Sequence, residues 1–191
     1  MRELVFLLEE RSAKALLESL LPRVLTRETP FRCIPFEGKQ DMEKQLPLKI
    51  RAYRNERARF IVLRDQDSAS CKVVKKKLLD LCAGTGKEAR CVVRIACREL
   101  EAFYLADLQA VDQALGIGDL ARRQKSRKFR APDSLGSPAH ELKMLTRSRY
   151  EKVAGSRAIG RCLSIDNDRS PSFRNLIAAI RRMESELAAE A

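Results

Sequence analysis

No two of the six cysteines stand in Cys-x-x-Cys spacing, and there is a single histidine, His140. A zinc site needs clustered sulfur and imidazole ligands, so the usual zinc modules are not supported. Cys33, Cys71, Cys82, Cys91, Cys97 and Cys162 are expected to be reduced thiols, mostly buried as small hydrophobes, which suits a bacterial-type cytosol. His140 reads as structural. No apolar run approaches the ~18 residues that a transmembrane helix needs. Arg2-Glu3 lead directly into a strand-like run, without the pattern of a secretory signal. A cytoplasmic protein with no membrane contact is expected. Neither Gly-x-x-x-x-Gly-Lys-Ser/Thr nor Gly-x-Gly-x-x-Gly occurs, so nucleotide cradling by a glycine-rich loop is unsupported. There is no internal repeat and no low-complexity tract.

What remains is a chain of 191 residues, 45% hydrophobic and 34% charged, with a net charge of +12. That length and balance describe a soluble globular chain with a full core. The charge is uneven. Residues 118–161 hold twelve Lys/Arg against four Asp/Glu, a local surplus of +8. A basic surface of this kind suits a polyanion, or serves only solubility.

The first half alternates strand-like and helix-like patterns. Apolar runs at Glu3–Leu8, Phe31–Phe36, Arg59–Arg64 and Cys91–Cys97 read as strands, the second edge-like because Pro35 cannot donate to a ladder. Helical spacing fills Ser12–Leu25, with Ser12 as a cap, then about 41–53, 71–82 and 98–115. This β-α order predicts an α/β fold, a mostly parallel four-stranded sheet flanked by helices. Residues 1–117 are expected to form that core. Residues 118–191 are expected to add a basic loop (118–138) and a helical extension packed on the core. Its helices fall near 139–147 and 155–162 and over Ser170–Ala189, where Ser170 or Ser172 caps the last one.

Three of the strands end in carboxylates. Glu9 and Glu10 follow the first, Asp65-Gln66-Asp67 the third, and Glu99 and Glu101 the fourth. In a parallel sheet the carboxyl ends of the strands share one edge, so these acids can converge. A carboxylate cluster there is a site for a hard cation such as Mg²⁺ or Mn²⁺, which handles phosphate. Asp-x-Asp in extended backbone puts both carboxylates on one side. The bland alternatives are an Asx-turn at Asp65 or Asp67, and first-turn helix acids at Glu99 and Glu101, of which one faces the crevice. Candidate ligands are therefore Glu9, Asp65, Asp67, Glu99 and Glu101, with Glu9 also a candidate general base. Lys152 and Lys39 are candidates to meet a phosphate. Arg122, Arg123, Lys125, Arg127, Lys128 and Arg130, with Arg174, are candidates for nucleic-acid backbone contacts, and Phe129 is the one stacking candidate in that run.

These residues resemble the Toprim fold of topoisomerases, bacterial primases and the nucleases of the overcoming-lysogenization-defect group. That family carries a glutamate after its first strand and an Asp-x-Asp after its third, matched here by Glu9 and by Asp65 and Asp67. More narrowly, the chain resembles a family of uncharacterised bacterial Toprim-like proteins. The matching segments are Glu99–Asp107, Tyr150–Lys152 and Ser170–Arg174. The resemblance implies a divalent-metal-dependent nuclease of Toprim type, whose relatives often act beside an ATPase partner in phage-defence modules. Its partner is expected to be nucleic acid, DNA ahead of RNA, with the choice between them left open. Asp65, Glu9 and Lys152 would be its catalytic residues. One departure stands out: the usual Glu-Gly-x-Ser/Thr-Glu loop appears as Glu9-Glu-Arg-Ser-Ala13, without the glycine and the last acid. That change favours the alternative, a non-catalytic nucleic-acid-binding or regulatory subunit of an ATPase complex with a degenerate site.

Overall fold

A computed structural model describes residues 2–26 and 28–189. The apolar runs form strands β1 (Glu3–Leu8), β2 (Phe31–Pro35), β3 (Ala58–Asp65) and β4 (Cys91–Ala96). All pairings are parallel, and the strand order is β2-β1-β3-β4. Every residue of β1 is buried, as is all of β3 before Asp65. Central strands covered on both faces require such unbroken apolar runs. Pro35 falls at the end of an edge strand, where its missing N–H interrupts no ladder on the free side.

The crossovers are α1 (Arg11–Val24), α2 (Lys39–Arg51) and α3 (Cys71–Ala83). Strand alternation divides the core in two. Leu4, Phe6, Leu8, Ile61 and Leu63 pack with α1 on one face, and Val5, Leu7, Phe60 and Val62 with α2 and α3 on the other. The chain thus leaves β1 and β3 toward opposite faces. A crevice at the carboxyl ends of two such strands is the usual ligand position in an open α/β sheet.

The single helix expected over 98–115 is two, α4 (Glu101–Leu105) and α5 (Leu108–Leu115). Asp107 causes the break: its carboxylate accepts from Ala110 N at 3.1 Å and from Ser164 N at 2.9 Å, capping a new helix. The segment expected as a loop holds α6 (Leu120–Arg123) and two 3₁₀ turns, Arg127–Phe129 and Pro132–Ser134. Gln124 pins it, accepting from Leu108 N (2.7 Å) and donating to the carbonyls of Leu105 (3.0 Å) and Phe129 (2.8 Å). The chain ends in α7 (Pro138–Leu145), α8 (Lys152–Cys162) and α9 (Pro171–Ala189). Ser170 caps α9, its Oγ accepting from Phe173 N at 3.1 Å. Ser12 instead lies inside α1, whose cap position Glu10 occupies. All six cysteines are free thiols. Among the described residues no helix is long and apolar enough to cross a membrane.

Helix α8 lies against α1, and Gly160 sets the approach. A Cβ there would stand 2.8 Å from the Leu16 carbonyl oxygen and 3.1 Å from Ser19 Cβ. Arg23 locks the contact by donating to the carbonyls of Gly160, Arg161 and Leu163 at 3.1, 2.8 and 2.7 Å. Because the obstacle is backbone, Gly160→Ala should cost about 1–3 kcal/mol. The check is a lower urea midpoint at an unchanged m-value.

Candidate active site

Glu9, the residue after β1, is held by backbone on both sides. Its N–H donates to Leu63 O (3.2 Å) and its carbonyl accepts from Gly38 N (3.0 Å). The side chain is only 10% exposed. Its Oε2 accepts from the backbone N–H of Asp65 at 3.1 Å and lies 3.8 Å from Arg64 Nε. Asp65 ends β3, with the Leu100 amide near enough to favour the charged form of its carboxyl. Glu101 opens α4, is 2% exposed, and accepts at Oε1 from the Tyr150 hydroxyl at 2.9 Å. The ends of β1 and β3 thereby bring Glu9 and Asp65 to one crevice, and the start of α4 puts Glu101, 92 positions beyond Glu9, within electrostatic reach of Asp65.

The electrostatics couple them. Burial pushes the Asp65 carboxyl well above its ordinary value, and the Glu101 and Glu9 charges push it further. Burial likewise raises Glu9, against the Asp65 amide and Arg64, with Asp67 and Glu10 adding repulsion. Burial raises Glu101 too, against its own amide, Tyr150 and Lys152. Close carboxylates in a poorly solvated place resist joint ionisation. At the mouth stands Lys152, the first residue of α8, with Nζ 2.7 Å from Glu10 Oε2. Burial pulls its pKa down, but Glu10, Glu101 and Asp65 together hold it above the usual lysine value, so the ammonium stays charged.

The family model of a domain of unknown function, DUF4276, matches residues 8–181. The chain belongs to the DUF4276 family. Among solved structures it is similar to the C-terminal region of the Burkholderia pseudomallei OLD protein, with a TM-score of 0.55 and 16% identity over 94% of this chain and 97% of that one. It is also similar to the C-terminal region of the Xanthomonas campestris pv. campestris OLD protein, with a TM-score of 0.52 and 13% identity over 99% and 95% of the two chains. At such identities the likeness is one of fold: the Toprim-like α/β architecture that the sequence implied. A search of curated proteins finds no match.

Other acids of this DUF4276 chain face elsewhere. Asp67 has a φ of 56°, so Asp-x-Asp is not an extended pair. The chain turns left-handed there, and Asp67 Oδ2 meets Lys39 Nζ at 3.2 Å while Asp65 faces inward. Aspartate tolerates that conformation better than most residues. Glu99 accepts at Oε2 from Ala139 N at 2.7 Å, at the start of α7. Arg122, Arg123, Lys125, Arg127, Lys128 and Arg130 are all exposed, as is Arg174 in the first turn of α9. Arg122 pairs with Asp119 (3.4 Å) and Lys128 with Glu141 (2.6 Å). Phe129 is no stacking platform: it is buried in the core, where it anchors the basic segment.

Sequence reasoning missed Arg64. It is buried, with Nη1 2.6 Å from Glu43 Oε1, and Lys77 holds the other Glu43 oxygen at 2.6 Å. The available signal was a charged residue directly after the apolar run 60–63, where β3 is still buried. Nothing in the sequence beyond the Tyr150–Lys152 motif assigns Tyr150 a role.

Among the described residues no three His, Cys, Asp or Glu side chains stand together as a formed metal shell. The donors nevertheless suit a hard cation in chemistry: Glu9, Asp65 and Glu101 offer carboxylate oxygens only, crowded and poorly solvated.

Proposed function

We propose that this chain is a Mg²⁺- or Mn²⁺-dependent nuclease that hydrolyses phosphodiester bonds in DNA. The reading is supported by Glu9 and Asp65 lining one crevice, by Glu101 standing near enough to Asp65 to raise its pKa, and by the Lys152 ammonium that Glu10, Glu101 and Asp65 hold charged. Glu9, Asp65 and Glu101 would hold the ion, with Asp67 and Glu99 at the margin. A hard divalent ion held there would supply Lewis-acid polarisation of a phosphate oxygen and activation of water. Lys152 then stabilises negative charge on the phosphoryl oxygens, and Glu10 keeps that ammonium at the crevice mouth. Lys39, Arg174 and the exposed basic residues of 122–130 take the DNA backbone, a positioning role that reads no sequence. An ATPase partner in a phage-defence setting belongs to the same proposal. It draws support from the likeness to C-terminal regions of longer OLD proteins.

Plasmid DNA incubated with the protein should be cut in Mn²⁺ and left intact when a chelator removes the metal. DNA left intact under both conditions, together with no calorimetric uptake of Mn²⁺, sinks the proposal. A second reading, the non-catalytic DNA-binding subunit, is favoured by Arg64, a resident cation already 3.8 Å from Glu9. It expects DNA binding without specific Mn²⁺ uptake.

A further inference from the structure

We propose that Tyr150 is a positioning residue for Glu101, its hydroxyl fixing the carboxylate that completes the ion site. The inference rests on the proposed role of Glu101 as a metal ligand. Tyr150 precedes α8, and its Oη lies 2.9 Å from Glu101 Oε1 and 3.2 Å from Ser156 Oγ. The phenol has one proton to give. An ionised carboxylate has none, so that proton goes to Glu101, and Ser156 is left to donate to the Lys152 carbonyl, its other partner. One Glu101 oxygen is engaged in this way and the other is left for an ion. Carboxylates that ligate metals are commonly held by such an outer hydrogen bond.

The ring is clamped in place, and Glu101 is the nearest of the partners its hydroxyl reaches, at 2.9 Å against 3.2 Å for Ser156 Oγ and 3.5 Å for the Lys152 carbonyl. A Cβ on Gly155 would fall 2.5 Å from Tyr150 Cδ2 and 2.8 Å from Cε2, so only glycine lets the ring lie there. On another side the Tyr104 ring sits with centroids 5.9 Å apart and planes tilted by 58°. Tyr150 and Lys152 therefore divide the work of one short segment: the tyrosine sets an acid within electrostatic reach of Asp65, and the lysine reaches the crevice mouth. Gly155, three residues further on, makes the first possible.

Tyr150→Phe keeps the ring and removes only the hydroxyl. Calorimetry with Mn²⁺ should show affinity falling about 10–100-fold, the usual loss when an outer partner of a metal ligand is removed. The melting temperature should stay within a few degrees. In a Glu101→Gln background the same change should no longer affect the residual Mn²⁺ affinity, because the hydroxyl would have no ligand left to position. A merely structural tyrosine would lower affinity equally in both backgrounds, which overturns the proposal. So does unchanged affinity in Tyr150→Phe beside normal uptake by the wild type, or a variant that fails to fold. Wild-type protein that takes up no Mn²⁺ overturns the metal site itself and this inference with it.

Discussion

Asp65→Asn should abolish the proposed cleavage, by about 10³-fold or more, and raise the melting temperature of the metal-free protein by a few degrees. Both effects have one source. Removing an ion ligand forfeits several kcal/mol of transition-state stabilisation. The same carboxylate is a burden to the fold, since it is poorly solvated and repelled by Glu101 and Glu9. Its pKa is raised in the folded state, so the folded protein keeps that proton to higher pH than the unfolded chain does. Stability then falls as pH climbs from the ordinary aspartate range through the raised value. Asparagine has nearly the same shape and carries no charge at any pH. A gain of ~1 kcal/mol would appear as ~2–4 °C in a domain of this size. The difference between variant and wild type should shrink as pH is lowered toward the ordinary aspartate range. Mn²⁺ should raise the melting temperature of the wild type and leave the variant nearly unmoved. A variant that melts well below the wild type without metal would show that these acids do not repel one another. Trading stability for a charged site is a familiar cost of function.

The sheet was legible because β1 and β3 carry unbroken apolar runs, and parallel order follows from the helices between them. Glu9 and Asp65 were legible for the same reason: a residue just past a buried strand has its location fixed by the strand. Legibility ends where the backbone leaves the ladder. Asp67 is two residues beyond Asp65, yet a left-handed turn sends its side chain to Lys39, and no periodicity announces such a turn. Glu99 and Glu101 both look like first-turn helix acids. Which one points inward depends on α7 offering the Ala139 N–H to Glu99 and on Tyr150 reaching Glu101. Phe129 sits among six basic residues and reads as exposed, but Gln124 ties that segment down and turns the ring into the core. The acids' outcomes are each decided by a partner tens of residues away, and that of Phe129 by Gln124 reaching back to Leu105 and Leu108, which local pattern cannot encode. Lys152 reaches the crevice only because α8 packs on α1 through Gly160.

That placement makes Lys152→Ala the complement of Asp65→Asn. Cleavage should fall about 10²–10³-fold, the usual loss when a group stabilising transition-state charge is removed. Mn²⁺ uptake should persist and tighten slightly, because Glu10, Glu101 and Asp65 lose a cation that competes with the ion for their charge. Stability should barely change: Lys152 and Glu10 are both more than a third exposed, and such pairs are worth about 0–1 kcal/mol. The two variants together separate holding the ion from using it, since the first should lose uptake and cleavage and the second only cleavage. Wild-type cutting by Lys152→Ala would reduce the lysine to a surface partner of Glu10. Loss of Mn²⁺ uptake in the same variant would instead mean that its charge keeps the three acids ionised, a role that the raised carboxyl pKa values make the natural competitor.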